Sequence, residues 1–276
     1  MFYSTLPFII IYVLMIINFK PDLNILSYNI RYNSPNDGIN QWDFRKETIV
    51  NYLKKNNPDV IGMQEVLNDQ LVYLTDGLSD YFFVGVGRKD GKKKGEYTPI
   101  LFNKKTLELQ ESNTFWLSET PDKISVGWDA ALERICTYAR FKHIKTGKQF
   151  WVFNTHFDHI GKNARAQSVQ LILKKLINLN KIDLPTLVIG DFNLTPDTKP
   201  IQKLQNILVD VQGKLPISAL DYGTFTGFNI NQKSKNRIDY IFQKYFKNYT
   251  ANHLWIKTKK GLWASDHHPV QALVAF

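Results

Sequence analysis

Cysteine is nearly missing from this chain: Cys136 is the only one in 276 residues. That excludes an internal disulfide and any thiolate-rich metal site. Its setting, Arg134-Ile135-Cys136-Thr137-Tyr138, reads as a strand, where a lone cysteine acts as a small buried hydrophobe. Internal repeats, low-complexity segments and Pro/Gly/Ser-rich linkers are also missing after Lys20, so residues 21–276 read as one domain. Acidic excess is lacking too, with 35 Lys+Arg against 25 Asp+Glu for a net +10. The basic balance suits phosphate-bearing partners, but 28 of the 35 cations are lysine and asparagine is abundant, as a biased genome also produces. Hydrophobic residues at 43% and aromatics at 13% exclude a disordered or purely charged chain.

No Lys or Arg precedes Lys20 and no A-x-A cleavage pattern is present, yet Phe8 to Ile17 is an unbroken apolar run within a longer stretch from Phe2 to Phe19. Cations that follow the run count against export. The run is also short beside the roughly 20 residues that a membrane span needs. Residues 1–20 are nonetheless expected to be an export signal or single anchor, giving an exported or membrane-anchored protein, because an apolar run at an extreme terminus is seldom a core element. The alternatives are a buried first element, or an upstream start-site artefact on a cytoplasmic protein.

Hydrophobic periodicity predicts a strand over Leu23 to Ile30, a helix over Asp43 to Asn56 and a strand over Asp59 to Val66. Strands are predicted at Thr106 to Trp116, Arg134 to His143 and Gln149 to His156. A helix with one apolar face follows over 162–180, then a strand from Pro185 to Gly190. Asp239 to Phe242 and Pro269 to Phe276 supply two more strands, and this mixture makes an α/β sandwich the expected architecture.

Four apolar runs end in reactive groups: Ser27-Tyr28-Asn29, Gln64-Glu65, Asn154-Thr155-His156 and Gly190-Asp191. Strand ends hold such side chains rigidly beside variable loops. Arg237-Ile238-Asp239-Tyr240 and Ser265-Asp266-His267-His268 add two late constellations. Glu65, Asp191, Asp239 and Asp266, with Asn29 and Asn193, form an oxygen-rich set suited to a hard cation such as Mg²⁺. His156 and His267 add proton-transfer or phosphate-binding capacity. Singly, each residue also has a plain structural reading as an Asx turn, a salt-bridge partner or a helix-terminal charge.

The six motifs, in this order from Leu23 to Phe276, resemble the endonuclease/exonuclease/phosphatase superfamily of metal-dependent phosphoesterases, which includes exonuclease III and deoxyribonuclease I. The resemblance implies a four-layer α/β sandwich of two packed mixed β-sheets flanked by helices, with the site at one edge. It also implies Glu65 as leading ligand of Mg²⁺ (or Mn²⁺), with Asn29 and Asp266 beside it. Asp191 would align or deprotonate the attacking water, Asn193 hold a phosphate oxygen, Asp239 orient His267, and His156 bind phosphate or assist the leaving group. Arg31 stands where some nucleases of the family carry an acidic ligand, which puts a second metal position in doubt.

A finer resemblance is to a bacterial branch with poorly defined substrates. It rests on Asn36-Asp37-Gly38 with Trp42 and Arg45, on Gly87-Arg88-Lys89-Asp90-Gly91 before Gly95-Glu96, on Trp128-Asp129 before Arg134, and on Arg165. Arg45, Arg134 and Arg165 are therefore candidate substrate-binding residues, with structural ion pairing as the alternative. The expected activity is hydrolysis of a phosphate ester, first of nucleic acid by a monomeric nuclease. The alternatives are a small molecule (sugar phosphate, inositol phosphate or sphingomyelin-like lipid) and, last, a noncatalytic phosphate-binding protein. The basic run Arg88, Lys89, Lys92, Lys93 and Lys94 tests the nucleic-acid reading, since such a run is either a backbone-contacting patch or, more often, a solvated loop.

Overall fold

Two βαβ units set the architecture of the computed structural model, which describes residues 20–214, 223–232, 234 and 236–276. The apolar run Phe2 to Phe19, expected as a signal or anchor, lies outside these residues. In the first unit, strand β1 (Leu23–Asn29) leads through helix α1 (Trp42–Asn56) to strand β2 (Val60–Gln64), parallel to β1 with Asn29 opposite Gln64. Asn57 ends α1 in the left-handed conformation, φ 43°, and Pro58 prevents its continuation. In the second unit, β7 (Gln149–His156) leads through α3 (Lys162–Leu179) to the parallel β8 (Thr186–Asp191), with His156 opposite Asp191. Parallel pairing brings the carboxyl ends of each pair to one edge, where open α/β sheets place their ligands.

Each pair sits at the centre of a six-stranded mixed sheet. Around β1 and β2 lie β3 (Tyr81–Val84), β4 (Ile100–Asn103), β11 (Asn248–His253) and β12 (Val270–Ala275), in the order β11-β12-β1-β2-β4-β3. Around β7 and β8 lie β5 (Leu107–Trp116), β6 (Ile135–His143), β9 (Val209–Asp210) and β10 (Asp239–Lys244), in the order β5-β6-β7-β8-β10-β9. Helices α2 (Asn68–Gly77) and α4 (Lys199–Gln205) complete the outer layers. This is the expected four-layer sandwich.

Strand alternation explains the layering. Leu23 and Ile25 of β1 face Val152, Leu187 and Ile189 between the sheets, while Leu26 and Tyr28 point outward onto Ile49, Leu53 and Leu74. Val188 of β8 likewise turns to Val169, Ile172 and Leu204. Each such side chain stabilises the fold by roughly 1.5–3 kcal/mol through its burial. Toward the site edge the inter-sheet layer becomes polar: Gln64 Nε2 donates to Asn154 Oδ1 at 2.7 Å, and Asn154 Nδ2 donates to Met63 O at 2.7 Å and Pro99 O at 2.8 Å. Gly62 permits this close approach, because a Cβ there would collide with Ile189 and Asn154.

The elements that periodicity did not predict are short or lie at edges. Helix α2, strands β3, β4, β9 and β11 and helix α4 each have ten residues or fewer. Exposed Phe82 and Phe83 on edge strand β3 break the usual alternation signal.

Candidate metal and phosphate site

The carboxyl ends of β1, β2, β7 and β8 open into a cavity of about 770 Å³ lined by Glu65, His156, Asp191, Asn193, Asp266 and His267 among others. Three neighbouring residues leave their strands in left-handed backbone: Arg31 (φ 58°), Glu65 (φ 61°) and Asn193 (φ 48°). This conformation is uncommon for side-chain-bearing residues, and its recurrence at the site shows the surrounding fold holding strained positions.

One half of the cavity is acidic. Asn29 Nδ2 bridges Glu65 Oε1 at 3.1 Å and Asp191 Oδ2 at 3.0 Å. Tyr32 N donates to Glu65 Oε2 at 3.2 Å, and Ser265 Oγ donates to Asn29 O at 2.7 Å, tying the final constellation to β1. Arg31 pairs with Asp37 through two 3.0 Å contacts and stands 3.8 Å from Glu65 and 4.0 Å from Asp266. Its guanidinium thus occupies the neighbourhood where an extra acidic ligand was in question.

Asp191, Asp239 and His267 form a buried chain beside this half. His267 Nδ1 lies 2.8 Å from Asp239 Oδ2 and Nε2 lies 3.8 Å from Asp191 Oδ2. Burial opposes charge on His267, but Asp239 and Asp191 overcome it and hold the imidazolium well above the ordinary histidine range. Burial, reinforced by the Asp239 charge, pushes Asp191 up to about 7. Asp266 is raised as well, by burial first. Asn193 N donates to Asp191 Oδ1 at 2.9 Å, fixing that carboxylate, while Asn193 Nδ2 donates to Phe157 O at 3.0 Å.

The other half is basic and carries the opposite consequence. His156 Nε2 lies 3.5 Å from Asp191 Oδ2 and Nδ1 lies 3.9 Å from Glu96. Burial, then Arg134 and Arg88, drives His156 well below the ordinary range, so its ring is neutral at pH 7. Arg88 is buried and pairs with Glu96 at 3.0 and 2.8 Å. Arg134 reaches Asp158 at 3.4 Å and His159 Nδ1 at 2.9 Å, and Arg165 donates to Asp158 O at 2.9 Å. Arg134, His159 and Arg165 all line the cavity.

Arg45 is placed differently from its expected role. It is 1% exposed, does not line the cavity, and donates to Asn40 O at 2.6 Å, Ile30 O at 2.7 Å, Ala264 O at 2.8 Å and Arg31 O at 3.3 Å. It clamps the segments that carry Asn29, Arg31 and Asp266. Lys92, Lys93 and Lys94 are exposed on a hairpin closed by Gly87 N to Lys92 O and Lys89 N to Lys94 O, and none lines the cavity. Cys136 is buried and its thiol is pushed up by burial, in keeping with a packing role. Sequence reasoning left Glu96, His159 and Arg31 out of the site. Glu96 stands in the Gly95-Glu96 pair that marks the bacterial branch but is not among the candidate site residues, and His159 falls within the His156-Phe157-Asp158-His159 run.

The donor set fits a hard divalent cation. Glu65, Asp266 and Asp191 offer carboxylate oxygens, while Asn29 beside them presents Nδ2 and its Oδ1 accepts from Arg31 N at 3.0 Å. Three crowded buried carboxylates near one imidazolium leave negative charge that a cation offsets. Asp239 Oδ1 is buried without a hydrogen-bond partner, another sign of anionic surplus. Asp191, Asp239 and His267 also bring their ligand atoms within 4.8 Å of one another, but His267 Nδ1 already engages Asp239. The cationic imidazole already offsets those two carboxylates and repels a second cation, so the Glu65 side is the better seat.

A buried carboxylate–imidazole chain facing an acidic cation seat at the carboxyl edge of a two-sheet sandwich defines a phosphoesterase-type site. The chain belongs to the endonuclease/exonuclease/phosphatase family, whose model matches residues 26–267 and whose members are divalent-metal-dependent phosphoesterases. Among solved structures it is similar to a mannosyl-6-phosphatase of Bacteroides thetaiotaomicron, 34% identical over 92% of this chain and 100% of that one, TM-score 0.83. It is similar as well to a Bacteroides vulgatus member of the family, 36% identical over 92% and 98%, TM-score 0.82. An uncharacterised Acanthamoeba polyphaga mimivirus protein is 29% identical over 67% of this chain and 71% of its own.

Proposed function

We propose that the protein is a Mg²⁺- or Mn²⁺-dependent phosphatase that removes the phosphoryl group from a small phosphorylated carbohydrate. The carrying observation is the charge of the cavity wall. Three guanidiniums (Arg31, Arg134, Arg165) face four carboxyl groups (Glu65, Glu96, Asp191, Asp266), while the lysine hairpin stays outside. Such a wall suits one phosphoryl group beside a polar, hydroxyl-rich body and, among the described residues, carries no cationic track of the kind a polymer backbone needs. The likeness to a mannosyl-6-phosphatase over nearly the whole chain supports the same reading.

A single ion held by Glu65 and Asp266 would offset charge on the phosphoryl oxygens, and Asn29 could join them only with its amide turned to present Oδ1. Asp191, next to neutrality in pKa and anchored by Asn193 N, orients the attacking water and takes its proton. His267, kept cationic by Asp239, faces the developing phosphoryl charge, and Asn193 lines the same cavity. His156 stays neutral and hydrogen-bonds a phosphoryl or leaving-group oxygen. Glu96, Arg134, His159 and Arg165 contact the sugar side.

The test is a substrate panel at pH 7 with Mg²⁺. Inorganic phosphate release from hexose 6-phosphates and p-nitrophenyl phosphate is expected to exceed turnover of bis(p-nitrophenyl) phosphate, sphingomyelin and oligonucleotides. Chelator, Glu65→Gln or Asp191→Asn should abolish it. Oligonucleotide cleavage faster than monoester turnover would replace this reading with the nuclease one, and full activity in verified absence of divalent ions would remove the metal.

A further inference from the structure

The end of the sandwich opposite the cavity is built from the amino ends of β1, β2, β7 and β8. Both sheets meet there around a second cavity of about 580 Å³ lined by Lys20, Asp22, Lys105, His143 and Lys145. Strand β7 puts this end about 23 Å from His156, at 3.3 Å per residue.

Its turns share a composition. Lys105 follows β4, Lys145 and Lys148 lie between β6 and β7, Lys181 between α3 and β8, and Lys247 between β10 and β11; all are exposed, as is Lys20. Three of these turns also expose an apolar or aromatic tip: Ile144 at 51%, Ile182 at 73% and Tyr245 at 51%. Acid is present but engaged: Asp80 offsets Lys105 at 2.6 Å, Asp183 lies 3.9 Å from Lys244, and Asp22 and Asp59 of the cavity lining accept from Phe276 N and Asn24 N. Lysines around isolated apolar tips match an anionic lipid surface, where cations meet headgroups and the tips enter the interface. The sequence adds a second, independent pointer: the apolar stretch Phe2 to Phe19 joins the fold at Lys20, on this same end.

We propose that this lysine-rich end is the face by which the protein lies on an anionic bilayer, with Ile144, Ile182 and Tyr245 at headgroup depth and the phosphoesterase cavity turned to water. A nucleic-acid partner is disfavoured because polyanion grooves have no use for protruding isoleucines.

Full-length chain carrying Ile144→Cys, Ile182→Cys or, at the cavity end, Lys93→Cys can be labelled selectively with a polarity-sensitive dye, since Cys136 is buried. On phosphatidylglycerol vesicles containing a lipid-borne quencher, labels at 144 and 182 should be quenched and the label at 93 should not. Vesicles of phosphatidylcholine alone should quench none of them. Replacing Lys145, Lys148 and Lys181 by Gln should lower the ratio of docked to undocked molecules by roughly a hundredfold, with p-nitrophenyl phosphate turnover unchanged. The proposal is overturned if the chain does not associate with the vesicles, if labels at 93 and 144 respond alike, or if the triple variant docks as well as wild type. Protection of the 144 and 182 labels by an oligonucleotide instead of lipid overturns it equally.

Discussion

The acidic and basic halves of the cavity each contain one buried histidine, His267 at 4% exposure and His156 at 6%, and one ring is cationic while the other is neutral. Burial disfavours the imidazolium in both. On the acidic side Asp239 and Asp191 reverse that tendency, whereas on the basic side Arg134 and Arg88 add to it. Neighbours, not residue type or burial, divide the labour between a fixed cation and a neutral hydrogen-bonding ring, as in other sites that push like groups apart in pKa.

The largest break in this contrast should come from Asp239→Asn, which removes the carboxylate holding His267 positive. We expect kcat to fall about 10³- to 10⁴-fold with folding intact. The cationic form of His267 is lost as pH rises through its raised pKa, so lowering that pKa should move the alkaline limb of the kcat profile to lower pH. A kcat–pH series with circular dichroism reads both effects, and an unmoved limb would take the charge away from His267.

His156→Gln should cost less, about 10²-fold in kcat, and leave the alkaline limb in place, because a neutral ring is exchanged for a neutral amide. A profile displaced as far as that of Asp239→Asn would mean that the two histidines do not divide by charge.

Arg45→Leu probes the support of the acidic half. It strands the carbonyls of Ile30, Arg31 and Ala264, and is expected to lower unfolding free energy by about 2–3 kcal/mol in urea titration. Unchanged stability would return Arg45 to the substrate-binding set.

His253 extends the comparison to a third ring, set on β11 away from the cavity lining. Burial, then Arg237, lowers it to about 4. Between pH 6.5 and 4 the unfolded chain binds more protons at this site, so stability falls as pH falls. By pH 5 the loss is roughly 2 kcal/mol, and His253→Gln should remove that share of the slope in thermal melts across pH.

Most long elements were legible because their apolar residues alternate or recur at helical spacing: helix 162–180 is observed at Lys162–Leu179, and Gln149 to His156 is recovered whole. Short pieces such as edge strand β3 and interior β4 were not, since four residues carry too little pattern. Arg45 illustrates a different limit. An arginine has the same formal charge in a solvent-facing pocket and in a cage of carbonyls, and here the cage includes Ala264, 219 residues away. Glu96 illustrates the converse, as an acid paired with Arg88 of its own loop becomes part of the site only when β7 brings His156 against it.

The sequence by itself determined which oxygen and nitrogen donors are available and that they sit at strand ends, because side-chain periodicity and motif order are written along one dimension. Tertiary structure alone decided which carboxylates surround His267 and which guanidiniums surround His156. The physical reason is that charge interactions depend on through-space distance in a medium emptied of water, and the sequence does not record that distance.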